Sequence, residues 1–193
     1  MPWEKQFDTD EVLEKAMRAF WDRGYEATSM QDLVDHTGIN RGSLYATFGD
    51  KHALFIAALR RYDESRRVDT LAELEARFAP RDAIRELFLS FSDQASERGK
   101  NRGCFMTNTA LELAAHDAQV GKIVAHSQEQ IEKFFARMIE SGKERGEIPT
   151  HVNATGVSRG LLASLIGLVV LTRSRPQKPL LKAIVDDAMR KLE

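Results

Sequence analysis

The chain has 193 residues, 42% of them hydrophobic, enough to bury one core or a small and a larger one, and this excludes a disordered tail. Its 28 Lys and Arg against 29 Asp and Glu leave a formal net charge of −1, which excludes a general nucleic-acid coat, since that needs a strong basic excess to release counterions. A single cysteine excludes an intrachain disulfide framework and an all-cysteine zinc site. Five prolines, long stretches at helical period and no convincing alternating strand predict an all-α fold. Met1 to Asp10 is short and polar, with no secretory signal, and the longest apolar run, Gly160 to Leu171, is shorter than the ~20 residues that cross a bilayer. The expectation is a cytoplasmic protein with no membrane partner.

Asp8 to Gly24 is predicted as the first helix, capped by Asp8 or Thr9, with Val12, Leu13, Ala16, Met17 and Phe20 recurring three and four apart. Trp21 and Tyr25 border that apolar face and read as packing residues. Thr28 and Ser29 open the next element, where a hydroxyl and an amide together suit a backbone phosphate. From Ser29 to Lys51 the sequence spells two short helices about a tight turn at Gly38, a helix-turn-helix. Ser29 and Asp32 form a capping box, Gly38 ends the first helix, and Asn40 caps the second. Ile39 and Leu44 stand at the spacing of a hydrophobic staple.

The second helix, Asn40 to Phe48, holds no acidic residue in a chain that is 30% charged. At about 100° per residue, Leu44 and Phe48 face inward, Gly42 and Ala46 outward, and Arg41, Ser43, Tyr45 and Thr47 lie on the flanks. Small outward residues let a backbone sit deep in a major groove, with Ala46 against a thymine methyl and Arg41 on a guanine edge. Tyr45 stands at phosphate height. Lys51 starts the following helix, where the macrodipole disfavours a cation unless an anion such as a DNA phosphate is also present. Met1 to Arg67 contains ten Lys/Arg and twelve Asp/Glu, so affinity for double-stranded operator DNA must come from a few placed cations, helix N-termini and shape. An ordinary helical hairpin with solvated Arg41 and Lys51 is the competing reading.

The run Phe20 to Met30, then Thr37 to Phe48, then Lys51 and Leu54 resembles the DNA-binding region of the TetR family of bacterial transcriptional regulators. Phe20, Gly24, Thr28, Gly38, Gly42, Tyr45, Phe48, Lys51 and Leu54 match its pattern. Thr37, Ala46, Thr47 and His52 depart from it. The resemblance covers about the first quarter of the chain. It implies a helix-turn-helix domain over residues 1–50 and a helical effector-binding and dimerisation domain over residues 51–193. It also implies a homodimer presenting recognition helices about 34 Å apart to a palindrome, and an effector pocket between the middle helices.

Asp50 is predicted to cap a helix running to about Arg67, with Leu54, Phe55, Ala58, Leu59 and Tyr62 buried, that links the DNA surface to the next domain. Arg60, Arg61, Arg66 and Arg67 with Asp63 and Glu64 read as a solvated ion-pair face. Pro80 starts a helix near Arg81 to Glu97, and Arg98 to Gly103 reads as a flexible basic loop. Helices follow over Cys104 to His116 and Val120 to Ser141, and after the Gly146 to Asn153 connection over Ala154 to Arg173 and Lys178 to Leu192. Phe88, Phe91, Phe105, Met106, Asn108, Phe134, Phe135 and Met138 are core or pocket residues by spacing; the resemblance favours a pocket for a small-molecule effector of unknown identity.

Cys104, at a helix start after Lys100 and Arg102, is either a thiol poised to sense electrophiles or a small core residue. Gly156, Gly160, Ser164 and Gly167 make a stripe of small residues beside Leu161 and Leu168, predicted to meet a second subunit; close packing within the chain is the alternative. The five histidines show no metal-ligand spacing, and no nucleophile elbow, phosphate loop or dinucleotide fingerprint anchors catalysis or a cofactor. Besides a regulator, the pattern allows a helical protein-interaction module with a vestigial helix-turn-helix.

Overall fold

The computed structural model describes residues 7–93 and 101–193, and every regular element among them is helical. Helix α1 (Thr9–Arg23) starts on Asp8, whose carboxylate accepts from the Asp10 and Glu11 amides. Helix α2 (Met30–Thr37) opens on the reciprocal Ser29–Asp32 capping box and ends at Gly38, whose φ of 74° is the left-handed conformation that a residue with a Cβ adopts only at a cost. Asn40 caps α3 (Arg41–Phe48) by accepting from the Ser43 amide, and Asp50 caps α4 (Lys51–Tyr62) in the same way through Ala53. Four consecutive caps thus fix the helix-turn-helix before any tertiary contact is counted.

Beyond α4 the chain differs from the expectation of a helix ending near Arg67. It continues without a break through a π-helical stretch (Asp63–Val68) into α5 (Asp69–Arg77). The reason shows in the buried stripe, which runs through Phe55, Ala58, Leu59 and Tyr62, then repeats immediately at Asp63 and resumes at Leu71 and Leu74. A wide turn re-phases the inward face by about one residue, so that one rod serves two cores in succession. Asp63 is therefore not on a solvated face: it is buried, bonded to Arg67 at 2.7 Å by two parallel hydrogen bonds and to Ser127 Oγ at 2.6 Å.

Helix α6 (Pro80–Ser92) begins with proline at its first turn and is capped at Asp93; the rest of its expected extension to Glu97, with the first half of the Arg98 to Gly103 loop, lies outside the described residues. Helices α7 (Phe105–Glu112), α8 (Ala118–Glu144), α9 (Ala154–Ser174) and α10 (Lys178–Arg190) complete the bundle. Two apolar cores result. One joins α1 to α4 with α7 and the start of α8, through Phe20, Leu33, Leu44, Phe55, Phe105 and Val124; the other joins α5, α6, the rest of α8, α9 and α10. The expected division after residue 50 runs through the first core, because α4 packs on α1 as far as Tyr62.

Helix α9 is longer than its apolar run suggested. At 21 residues it is long and apolar enough to cross a membrane by length and composition alone. One side of it, with Leu161, Leu165, Leu168 and Thr172, is buried against the other helices of the bundle. Leu161 and Leu168 are at 0% exposure and hold α9 to its own bundle, which corrects their assignment to a subunit interface. Two of the glycines behave otherwise: a Cβ at Gly167 would meet nothing within 4 Å, and one at Gly160 only the Lys191 Cδ at 3.9 Å, so close packing within the chain does not account for glycine at these two positions.

Candidate functional site

Helix α3 carries the first candidate surface. Leu44 is buried and Phe48 packs against the same core, while Asn40, Arg41, Gly42, Tyr45 and Ala46 are exposed and Ser43 and Thr47 half-exposed. Tyr45 is 44% exposed, which leaves its hydroxyl free to reach a phosphate. Neither Gly42 nor Ala46 is covered by the protein's own packing; a Cβ at Gly42 would touch only Asn40 Oδ1 at 3.4 Å. Lys51 stands with its ammonium 4.2 Å above the Tyr25 ring, a cation–π contact that holds the charge at the start of α4. Burial, followed by the nearby Glu26, Asp50 and Asp117 carboxylates, pushes the Tyr25 phenol up, so the ring stays neutral beneath it.

Thr28 departs from expectation. It is fully buried and its hydroxyl donates to the Gly24 carbonyl at 2.6 Å, so its side chain fastens the end of α1 instead of facing a phosphate. Ser29 is exposed, but its hydroxyl is engaged with Asp32. That hydroxyl first, then the Ser29 amide and the Arg23 guanidinium, hold the Asp32 carboxyl below the usual carboxylate range. Asp32 is thereby occupied by a cap and a cation.

The second candidate is a cavity of about 370 Å³ between the two cores. Its wall takes Trp21 from α1, Tyr62, Asp63, Arg66, Arg67, Thr70 and Leu71 from the rod, Leu87, Ser90 and Phe91 from α6, and Gly103 to Thr107 except Phe105. Ser127, Gln128 and Ile131 from α8 and Leu162, Leu165, Ile166 and Val169 from α9 complete it. Of the expected effector residues, Phe91, Cys104 and Met106 line this space. Phe88, Phe134, Phe135 and Met138 instead fill the larger core, and Phe105 fills the other, edge-on to Phe55 and Tyr62. Asn108 turns away, donating to the Arg102 carbonyl and accepting from Arg173. Spacing did not separate these cases, because core and cavity residues share one helical period. The missed wall residues carried one signal, the i, i+4 pairing of Asp63 and Arg67, which reads identically on a solvated surface.

Cys104 is half-buried with its sulfur accepting from the Tyr62 hydroxyl at 3.4 Å. Arg102 is paired with Asp22 and stacked near Trp21, not turned to the thiol, and Lys100 lies outside the described residues.

Between surface and cavity run the contacts that join them. The Glu112 carboxylate at the end of α7 accepts from the amides of Tyr25 at 3.2 Å and Glu26 at 3.0 Å, lying so close over Gly24 that a Cβ there would stand 2.8 Å from its oxygen. Asp117, the N-cap of α8, bonds His52 Nε2 at 2.6 Å in the first turn of α4. The Trp21 indole donates to the Arg102 carbonyl at 3.2 Å. Every one of these reaches from the segment 102–117 to α1, the turn before α2, or α4.

Two family models match the chain: residues 12–58 fit that of bacterial regulatory proteins of the tetR family, and residues 80–186 fit a tetracyclin repressor-like C-terminal domain. The chain belongs to the TetR family. It is 30% identical to the HTH-type transcriptional regulator YezE of Bacillus subtilis over 98% of both chains. It is 31% identical to the HTH-type transcriptional repressor ComR of Escherichia coli over 88% of this chain and 81% of that one. Its fold is similar to that of the TetR regulator CifR, seen in a cysteine-substituted form bound to 26-base-pair double-strand operator DNA, with a TM-score of 0.85, 26% identity and coverage of 98% and 99% of the two chains. This TetR protein is therefore a transcriptional regulator whose helix-turn-helix binds operator DNA.

The Val120 amide first, then His52, hold the Asp117 carboxyl below the usual carboxylate range. With its folded value depressed, the charge stabilises the fold fully above the unfolded value near 3.9 and ceases to do so as pH falls through the folded value. Asn caps a helix about as well as Asp, so Asp117→Asn isolates the charge. Urea midpoints are expected to be lower for the variant at neutral pH, and the difference is expected to close as the pH drops below about 3.9. A difference that persisted in acid would show that the carboxylate charge is not what holds α8 to α4.

Proposed function

We propose that this TetR protein is a repressor that binds a palindromic operator as a homodimer and is released when a small molecule occupies the cavity between its cores. The observation that carries the DNA half is the uncovered, acid-free face of α3, with Gly42 and Ala46 outward and Arg41 beside them. Arg41, together with Ser43, Ala46 and Thr47, reads base edges, while Tyr45, Lys51 and the Ser29 and Asn40 helix starts hold phosphates. Working on bacterial DNA, the protein acts in the cytoplasm.

Subunits meet through α9 and α10. The support is the stripe of Gly156, Gly160, Ser164 and Gly167 on a long apolar helix whose other side is already buried, with open space at Gly167 and near-open space at Gly160. Glycine costs about 1 kcal/mol in a helix interior relative to alanine, and nothing within the protomer requires it at Gly167.

The effector acts through two routes that leave the cavity together. One is the rod that starts at Lys51 and passes the cavity at Asp63; the other is α7, whose first turn lines the cavity and whose last residue, Glu112, grips the turn before α2. A ligand that fits only when these elements have shifted changes the spacing of the two α3 helices, and by linkage operator DNA weakens its binding by the same factor. Cys104 adds a covalent input. Its thiol, on the cavity wall, adds to the β-carbon of an α,β-unsaturated carbonyl: an S–C bond forms, the C=C π bond breaks and the thiol proton ends on the α-carbon.

Gel shifts against DNA flanking the gene test the first assignment. Lys51→Ala is expected to weaken binding across all sequences and to reduce the salt slope by about one, whereas Arg41→Ala is expected to relax preference at one base position, at about 1–3 kcal/mol. Identical behaviour of the two would refute the division of roles. For the dimer, Gly167→Leu is expected to leave the protomer folded and to lower the apparent mass in analytical ultracentrifugation; an unchanged dimer would put the interface elsewhere. For the cysteine, N-ethylmaleimide, a reagent of the same unsaturated class, is expected to give a Cys104 adduct by mass spectrometry and to release operator, with Cys104→Ser resistant. Release of the Cys104→Ser protein by the same reagent would remove the thiol from the mechanism.

A further inference from the structure

The cavity's wall sorts ligands by charge. On the proposed reading of this space as the effector site, we infer that it takes a small apolar organic acid, its hydrocarbon body among the leucines and its anionic group at Arg66. The argument starts from the acceptor inventory. Asp63 is the one carboxylate among the described wall residues, and it is already committed: it accepts from Arg67 Nε and Nη2 and from Ser127 Oγ. A ligand cation would have to displace a bidentate guanidinium held at 2.7 Å to reach it.

The donors are in the opposite state. Arg67 spends Nε and Nη2 on Asp63, and no hydrogen bond of its Nη1 is recorded among the described residues. Arg66, one residue away on the same π-helical stretch, is exposed and has no hydrogen bond or carboxylate partner among the described residues. Asp63 cancels Arg67, so the described wall residues carry one net positive charge, at Arg66. Both arginines reach the cavity because residues 63, 66 and 67, spaced three and four apart, share one face of the rod.

The remainder of the space is apolar, with Leu71, Leu87, Phe91, Ile131, Leu165 and Val169 on facing helices. At about 370 Å³ it lies near the lower end of the ~300–1,000 Å³ that ligand pockets span. A single ring or short chain fits. The polar arginines at one end and the hydrocarbon wall elsewhere fix the ligand's direction as well as its class.

The test is isothermal titration of the full-length protein with phenylalkanoic acids from phenylacetate to phenylhexanoate, and with the matching primary amides and primary amines. The best acid is expected to bind about five- to tenfold tighter than its amide, a range set by the exposure of Arg66, and the amine is expected to bind weakest. Arg66 is exposed, so its variants fold: Arg66→Gln is expected to bring acid and amide within about twofold of each other without changing the amide, and Arg66→Glu to place amine above acid. Amides or amines equal to the acids, or an acid preference that survives Arg66→Gln, would overturn the anion assignment while leaving the effector cavity standing. No binding in any of the three series, with operator retained throughout, would overturn both.

Discussion

The fold depends on a chain of aromatic rings packed edge to face. Phe20 of α1 meets Phe55 of α4 at 5.1 Å, Phe55 meets Phe105 of α7 at 5.7 Å, Phe105 meets Tyr62 at 5.6 Å, and Tyr62 closes on Trp21 of α1 at 5.0 Å. Such contacts contribute about 0.5–1.5 kcal/mol each beyond the area they bury. Their larger consequence is geometric, because close-packed rings do not slide past one another continuously. They weld α1, α4 and α7 into one body, so the helix-turn-helix cannot tilt unless α7 moves with it. Trp21 and Tyr62 are also cavity wall, which puts the far end of this weld in reach of a bound ligand.

Local polar contacts bear on an apparent conflict of charge. A first third with more acids than bases is a poor general partner for DNA, yet the acids near α3 are spent locally. Asp32 is engaged by Ser29 and Arg23, Asp50 caps α4, and Glu112 takes two backbone amides of the turn before α2. Only Asp32 has its charge offset by a cation, Arg23; Asp50 and Glu112 keep theirs and are held in place by the backbone amides they accept from. A chain with no net basic excess favours binding at chosen sites over coating, and on the proposed reading Arg41 and Lys51 supply the placed cations.

Most of the helix-turn-helix could be read in advance because its signals are local. Ser29 with Asp32, Gly38, Asn40 and Asp50 each satisfy orphan amides or turn the chain within four residues, and periodicity placed Leu44 inward and Gly42 outward. What escaped was set by distant partners. The burial of Thr28 depends on where α1 ends, and α5 follows a π turn that no cap announces. The burial of Asp63 depends on Ser127, 64 positions later. Core and cavity could not be separated either, since Phe88 and Phe91 lie on one helix three residues apart and differ only in whether α8 and α9 close over them. The stripe on α9 was visible as a pattern, but Leu161 and Leu168 beside it belong to the bundle's own core.

The irregular features of the structure are concentrated at one place, and that distribution is itself informative. A π turn is less favourable than the α turn it replaces, and a largely buried ion pair commonly stabilises less than apolar packing of the same volume. A cavity also forfeits the dispersion contacts its walls would otherwise make. Each feature alone lowers stability, and here all three share the segment Asp63–Val68 and the space it faces. A sequence selected only to fold would have closed the rod as a plain helix with leucines inward. Local rules broken together at a site between the two cores are the signature of a functional constraint. On the proposed reading of this space as an effector site, that constraint is the need for the rod to keep a second packing arrangement within reach, with the α4 end held by its aromatic neighbours and the widened turn facing the space.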